Sequence, residues 1–95
     1  MIIVSQDKDL IVNFNNITAI GIAQNNDKEI DSISTDGEEQ YLGAYKTEER
    51  AKEVLEEIIN VYKGTEAFKV VSGRILDSTG AVAINKGFVY EMPED

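Results

Sequence analysis

Ninety-five residues, 42% of them apolar, with one proline and no cysteine, histidine or tryptophan, fit one small domain with no room for a second core. The missing cysteines exclude disulfides and thiolate metal sites, and the missing histidines remove the commonest general base and transition-metal ligand. Eighteen acidic against nine basic side chains, a net charge of −9, argue against direct binding of nucleic-acid phosphates, which needs surplus Lys and Arg, and fit either solubility or mimicry of a polyanion.

A domain of this size buries only roughly 60–65% of its unfolded surface, so association with further copies is an expected remedy. Met1 to Gln6 lacks the features of a signal peptide, and no apolar run approaches the ~20 residues of a membrane span. The expectation is a cytoplasmic protein with no membrane partner.

In chain order, Ile2 to Gln6 reads as a short strand and Asp7-Lys8-Asp9 as a turn. The next strand sets Leu10, Val12 and Phe14 on one face and Ile11 and Asn13 on the other. Asn15-Asn16 is read as a two-residue hairpin turn, since asparagine tolerates positive φ. Ile17 to Ala23 sends Thr18, Ile20 and Ile22 one way and the small residues Ala19, Gly21 and Ala23 the other, a face that a helix, a subunit or a ligand could approach closely. After a loop at Gln24 to Lys28, Glu29 to Thr35 breaks strict alternation because Ile30 and Ile33 are three apart, which predicts a bulge or a short edge strand. Asp36-Gly37 signals a hairpin, and the strand Gln40 to Tyr45 carries Tyr41 and Tyr45 on one face.

The main helix is expected over 47–63. Thr47 is a good N-cap, and Glu48 and Glu49 suit the helix dipole. Ala51, Val54, Leu55, Ile58, Ile59 and Tyr62 form one apolar stripe, and Gly64 is read as the terminator. Beyond it, Ala67 to Val71 reads as a strand, with a second short helix over Thr65 to Leu76 as the alternative. Turns at Ser78-Thr79-Gly80 and Asn85-Lys86-Gly87 flank the apolar run Ala81 to Ile84, and Phe88 to Met92 is a last strand before Pro93. The expected fold is α+β: an antiparallel sheet of about four to five strands over residues 1–45, the helix packed on it, and a C-terminal β extension over 65–95.

No chemistry stands out. Nucleophilic catalysis lacks its usual base, carboxylate pairs such as Asp7/Asp9 match no calcium loop, and the single glycines form no phosphate cradle. The expectation is therefore no catalysis, no metal and no cofactor. Aromatics with Arg and amides can nonetheless hold a nucleotide, and Arg50, Phe68, Lys69, Arg74, Asn85, Lys86 and Tyr90 supply those chemical types.

Three stretches, MIIVSQDKDLIVNFNNITAIGI, LGAYKTEERAKEVLEEII and VYEMPED, resemble a family of small proteins of phages and prophages in Gram-positive bacteria. The likeness covers 1–63 and 88–95, and its motifs are structural ones. It extends to Thoeris anti-defence sponges, oligomers that sequester cyclic ADP-ribose-type signals without cleaving them. The chain departs from that pattern in its short length and in having only two arginines. The resemblance implies a non-enzymatic phage accessory protein in the bacterial host's cytoplasm, a homo-oligomer that captures a signalling nucleotide (cyclic ADP-ribose type or cyclic oligonucleotide) at a subunit interface. The alternatives are an acidic protein-binding inhibitor using Glu48, Glu49, Glu53, Glu56 and Glu57, or an interaction module with no small ligand.

Overall fold

The computed structural model describes the backbone of residues 1–75 and 89–95, and the side chains of 1–64 and 89–95. The fold is α+β. Six strands are described: β1 (Ile2–Val4), β2 (Ile11–Asn13), β3 (Ile17–Ala23), β4 (Asn26–Ser34), β5 (Glu39–Ala44) and β6 (Val89–Glu91). One helix, α1, spans Glu48–Ile75. The strands form two three-stranded sheets rather than the single sheet expected. The first has the order β2-β1-β6, with β1 antiparallel to β2 and parallel to β6. The second is the antiparallel meander β3-β4-β5.

The division falls at Asn15-Asn16. These residues do not make a hairpin turn; with Phe14 they form a 3₁₀ turn in which the Asn13 side chain accepts the Asn15 N–H at 3.0 Å. Asparagine competes with the ladder by bonding its own backbone two residues on, and here that local bond redirects the chain from one sheet into the other. The loop expected over Gln24 to Lys28 is shorter than that, a two-residue turn at Gln24-Asn25, because Asn26 to Lys28 already belong to β4. The turns at Asp7-Lys8-Asp9 and Asp36-Gly37 fall where expected. Lys8, in the Asp7-Lys8-Asp9 turn, has φ 61°, and Gly37 closes the β4–β5 hairpin with φ 88°, a region that favours glycine.

Alternation in β2 holds: Val12 is buried, Leu10 and Phe14 pack against the core, and Ile11 is 65% exposed. In β4 the period of two is also kept, but Ser32 takes the inward place beside Ile30, and Ile33 faces out. The expected irregularity is a register shift after Ile30, taken up opposite on β5, where Leu42 is the extra residue between the pairs Ile30–Gly43 and Asp31–Tyr41. This shift reverses the phase of β5. Tyr41 lies outward, whereas Leu42 and Tyr45 are buried, so the two tyrosines do not share a face.

The helix begins as expected, with Thr47 Oγ1 accepting the Arg50 N–H at 3.1 Å. It does not end at Gly64, which keeps helical backbone and is followed by helix to Ile75, so the strand read at 67–71 is helical instead. A single glycine costs a helix roughly 1 kcal/mol relative to alanine but terminates it only by taking up the left-handed conformation. Of the described glycines, Gly37 alone has positive φ. Ala51, Val54 and Ile58 form the buried stripe and pack chiefly on β4, while Ile59 is 49% exposed and Tyr62 stacks on Phe14 at 4.7 Å. The core joins both sheets to the helix through Ile3, Val12, Ile30, Leu42, Val54, Ile58 and Met92. Each such side chain contributes roughly 1.5–3 kcal/mol by burial. The β extension is represented by β6, whose register sets Ile3 beside Tyr90.

Candidate functional site

Two regions gather polar chemistry, and they behave differently. The first contains Arg50 and Tyr90, which the fold brings together on one carboxylate. Tyr90 donates its hydroxyl to Glu57 Oε2 at 2.7 Å, and Arg50 Nη1 lies 3.7 Å from Glu57 Oε1. Burial first, and then the bond to Glu57, pushes the Tyr90 phenol well above its usual range. Arg50 also lies 3.9 Å from Glu53, stands 6.0 Å over the Tyr45 ring and donates Nε to the Asp95 main-chain oxygen at 3.0 Å. Tyr45 donates its hydroxyl to the Pro93 carbonyl at 2.9 Å. The Gln6 amide accepts from the Ala44 N–H and donates to the Ala44 and Glu94 carbonyls, all within 2.8–2.9 Å. These groups clasp the chain after β6 onto β5 and the start of α1. Arg50 is thus engaged as a structural cation among carboxylates, which disfavours a phosphate there. The side chains of Phe68, Lys69 and Arg74, and the whole of Asn85 and Lys86, lie outside the described residues, as do the turns and apolar run read over 78–87.

The second region is the outward face of β3-β4-β5, opposite the helix. Strand register builds it in rows: Gly21 beside Asp31 beside Tyr41, then Ala19 beside Ile33 beside Glu39. The small residues of β3 leave a hollow of about 410 Å³, walled by Asp31, Ile33, Glu39 and the β3–β4 turn at Gln24-Asn25. A Cβ added at Gly21 would meet nothing within 4 Å, so the floor is open. Ile33 and Tyr41 stand beside it, 39% and 42% exposed.

Asp31 is the distinctive group. Its Oδ1 is buried and has no hydrogen-bond partner among the described residues. Burial, followed by the bond and the repulsion from Glu29 two residues along the same face, raises its carboxyl from 3.8 to about 6. Two ionised carboxylates offer each other no donor. A shared proton, or a donor brought from outside, completes the pair. The Tyr41 phenol is raised too, by burial first and then by Asp7, Glu29, Asp31 and Asp9. Among the described residues no group of three or more acidic side chains is arranged to hold a metal ion.

The sequence indicated half of this face. The small stripe Ala19, Gly21 and Ala23 is legible from alternation, but Asp31, Ile33, Glu39 and Tyr41 join it only through cross-strand register. Comparison of the chain with protein-family models, curated proteins and solved structures finds no match.

Proposed function

We propose that this protein works by binding rather than by catalysis, and that the open face of β3-β4-β5 receives a partner bringing hydrogen-bond donors or positive charge on an apolar body. The supporting observation is the Asp31 carboxyl beside Glu29, under-partnered at the edge of a hollow floored by Ala19 and Gly21 and flanked by exposed Ile33 and Tyr41. A buried acceptor without a donor is costly, and a ligand donor that reaches it recovers that cost. The net charge of −9 steers cations toward the chain. This reading makes the protein an acidic interaction protein, and places its binding surface on the sheet instead of on the glutamates of α1. Of those, Glu48 pairs with Lys52 at 3.0 Å and Glu57 is engaged with Arg50 and Tyr90.

The signalling-nucleotide reading, with its phage anti-defence setting, draws on the sequence resemblance alone, since Arg50 and Tyr90 are already engaged by Glu57. Both readings are tested by thermal shift with spermine, a lysine-rich amphipathic peptide, cyclic ADP-ribose isomers and cyclic dinucleotides. A saturating ligand at a hundredfold excess over its dissociation constant stabilises by about 2.7 kcal/mol. A shift with the cations that is lost in Asp31→Asn supports the sheet-face reading. A shift with a cyclic nucleotide alone transfers the function to the second reading, and silence with all four rules against the sheet face as a ligand site.

A further inference from the structure

The two edges of the second sheet are not alike. On β5 the C-terminal half of the edge is covered: the Gln6 N–H bonds the Leu42 carbonyl at 2.7 Å, and the Gln6 side chain takes both main-chain groups of Ala44. On β3, nothing among the described residues pairs the outer edge. Alternate residues along such a strand turn N–H and C=O away from the sheet, a template for another strand. Proteins blunt such edges with charges, prolines or very short strands. β3 runs for seven residues and contains neither a charge nor a proline. The outer strands of the other sheet, β2 and β6, have only three residues each.

The sequence of this edge says which strand fits it. Ala19-Ile20-Gly21-Ile22-Ala23 reads identically in both directions. We infer that the protein pairs with a second copy of itself through β3, antiparallel, about a two-fold axis at Gly21. An isologous contact requires a surface complementary to itself, and opposed residues in an antiparallel pair share a face. That register sets Gly21 against Gly21 of the second copy, Ile20 against Ile22 on the core side, and Ala19 against Ala23 on the open side. A shift by one residue would place isoleucines opposite small residues of the wrong face. Regular pairing of β3 with β4 runs from Ala19 to Ile22, between two register shifts, so four of the five palindromic residues, Gly21 at the axis among them, lie on its regular part, and Ala23 follows the second shift.

The result is one six-stranded sheet with both helices on one side and both open faces on the other. The two hollows, each floored by β3, run together across the axis, and the second copy supplies its own Ala19 and Gly21 to the common floor. The Asp31 carboxyls stand three strand spacings apart, about 14 Å, beyond the screening length of roughly 8 Å in physiological salt. The pairing needs only the strand edge and stands whether or not the hollow takes a ligand.

Light scattering of the full chain at micromolar concentration is expected to show a dimer that tightens as salt rises, because each copy carries a charge of −9. Gly21→Lys adds a side chain where there is space and sets like charges face to face at the axis. It is expected to keep the wild-type circular dichroism while weakening dimerisation by about tenfold or more, the change that roughly 1.4 kcal/mol produces. Since the chain has no cysteine, Gly21→Cys carries a single thiol whose Cα–Cα separation from its mate, about 4.5–5.5 Å, suits a disulfide. It should crosslink far faster than the exposed control Thr35→Cys. A wild-type chain that stays monomeric at all salts overturns the inference. So does a folded Gly21→Lys that is as dimeric as wild type, or a Gly21→Cys that crosslinks no faster than the control.

Discussion

Asp31 and Ser32 are neighbours on β4 with opposite problems. Asp31 carries a raised carboxyl on the open side, and Ser32 has a fully buried hydroxyl on the core side with no partner among the described residues. A carboxyl raised in the folded state contributes stability that is fully present below its unfolded value near 3.8 and is lost as pH rises through about 6. Asp31→Asn should therefore remove a fall in melting temperature between about pH 4 and pH 6, and be more stable than wild type at pH 7. A pH series of thermal melts in which the two proteins run parallel would contradict this. Ser32→Ala removes a hydroxyl that is desolvated without compensation, and is expected to raise stability by about 1 kcal/mol in urea denaturation. Neither residue was legible beforehand. The spacing of Ile30 and Ile33 announced a bulge or a short edge strand without saying which of these residues faces the core, and only the folded sheet reveals that the period of two carries Ser32 inward and Asp31 and Ile33 outward.

At the scale of elements, the helix was readable because its signals are local. The cap at Thr47 and the recurrence of Ala51, Val54 and Ile58 depend on neighbours three and four apart. Its far end was not, because a glycine carries two meanings that only the φ angle separates. Thr47→Ala should cost about 1 kcal/mol, read from the shift in urea midpoint. Ile58→Ala should cost roughly 2–5 kcal/mol, whereas Ile59→Ala at its half-exposed position should stay within about 0.5 kcal/mol. Equal losses at the two isoleucines would mean that the helix is rotated from the orientation described. The break between sheets at Asn13 to Asn16 was hidden for a different reason: an asparagine pair serves a hairpin and a 3₁₀ turn equally well, and the choice belongs to the packing on either side.

At the scale of the molecule, the two sheets are joined by side chains more than by ladders. Gln6 is the principal link, set against Gly43 so closely that a Cβ there would lie 3.0 Å from the Gln6 Cβ. Gln6→Ala should lower stability by roughly 1–3 kcal/mol, with faster amide hydrogen exchange at Ala44, whose N–H loses its acceptor. Unchanged exchange at Ala44 would show that the N–H finds another acceptor. The candidate face was only partly visible in the sequence because its floor comes from one strand and its walls from three.

The parallel pairing of β1 with β6 has a consequence for how the chain is made. β1 is the middle strand of its sheet, yet one of its two neighbours leaves the ribosome after the whole of α1. The meander β3-β4-β5 can close as it emerges, from contacts between adjacent segments. The first sheet must wait as a two-stranded remnant, with the flank of Ile3 uncovered, until residues 89–91 return to it. A nascent chain that has released β5 and part of α1 would thus hold one sheet able to close and the other still lacking its third strand.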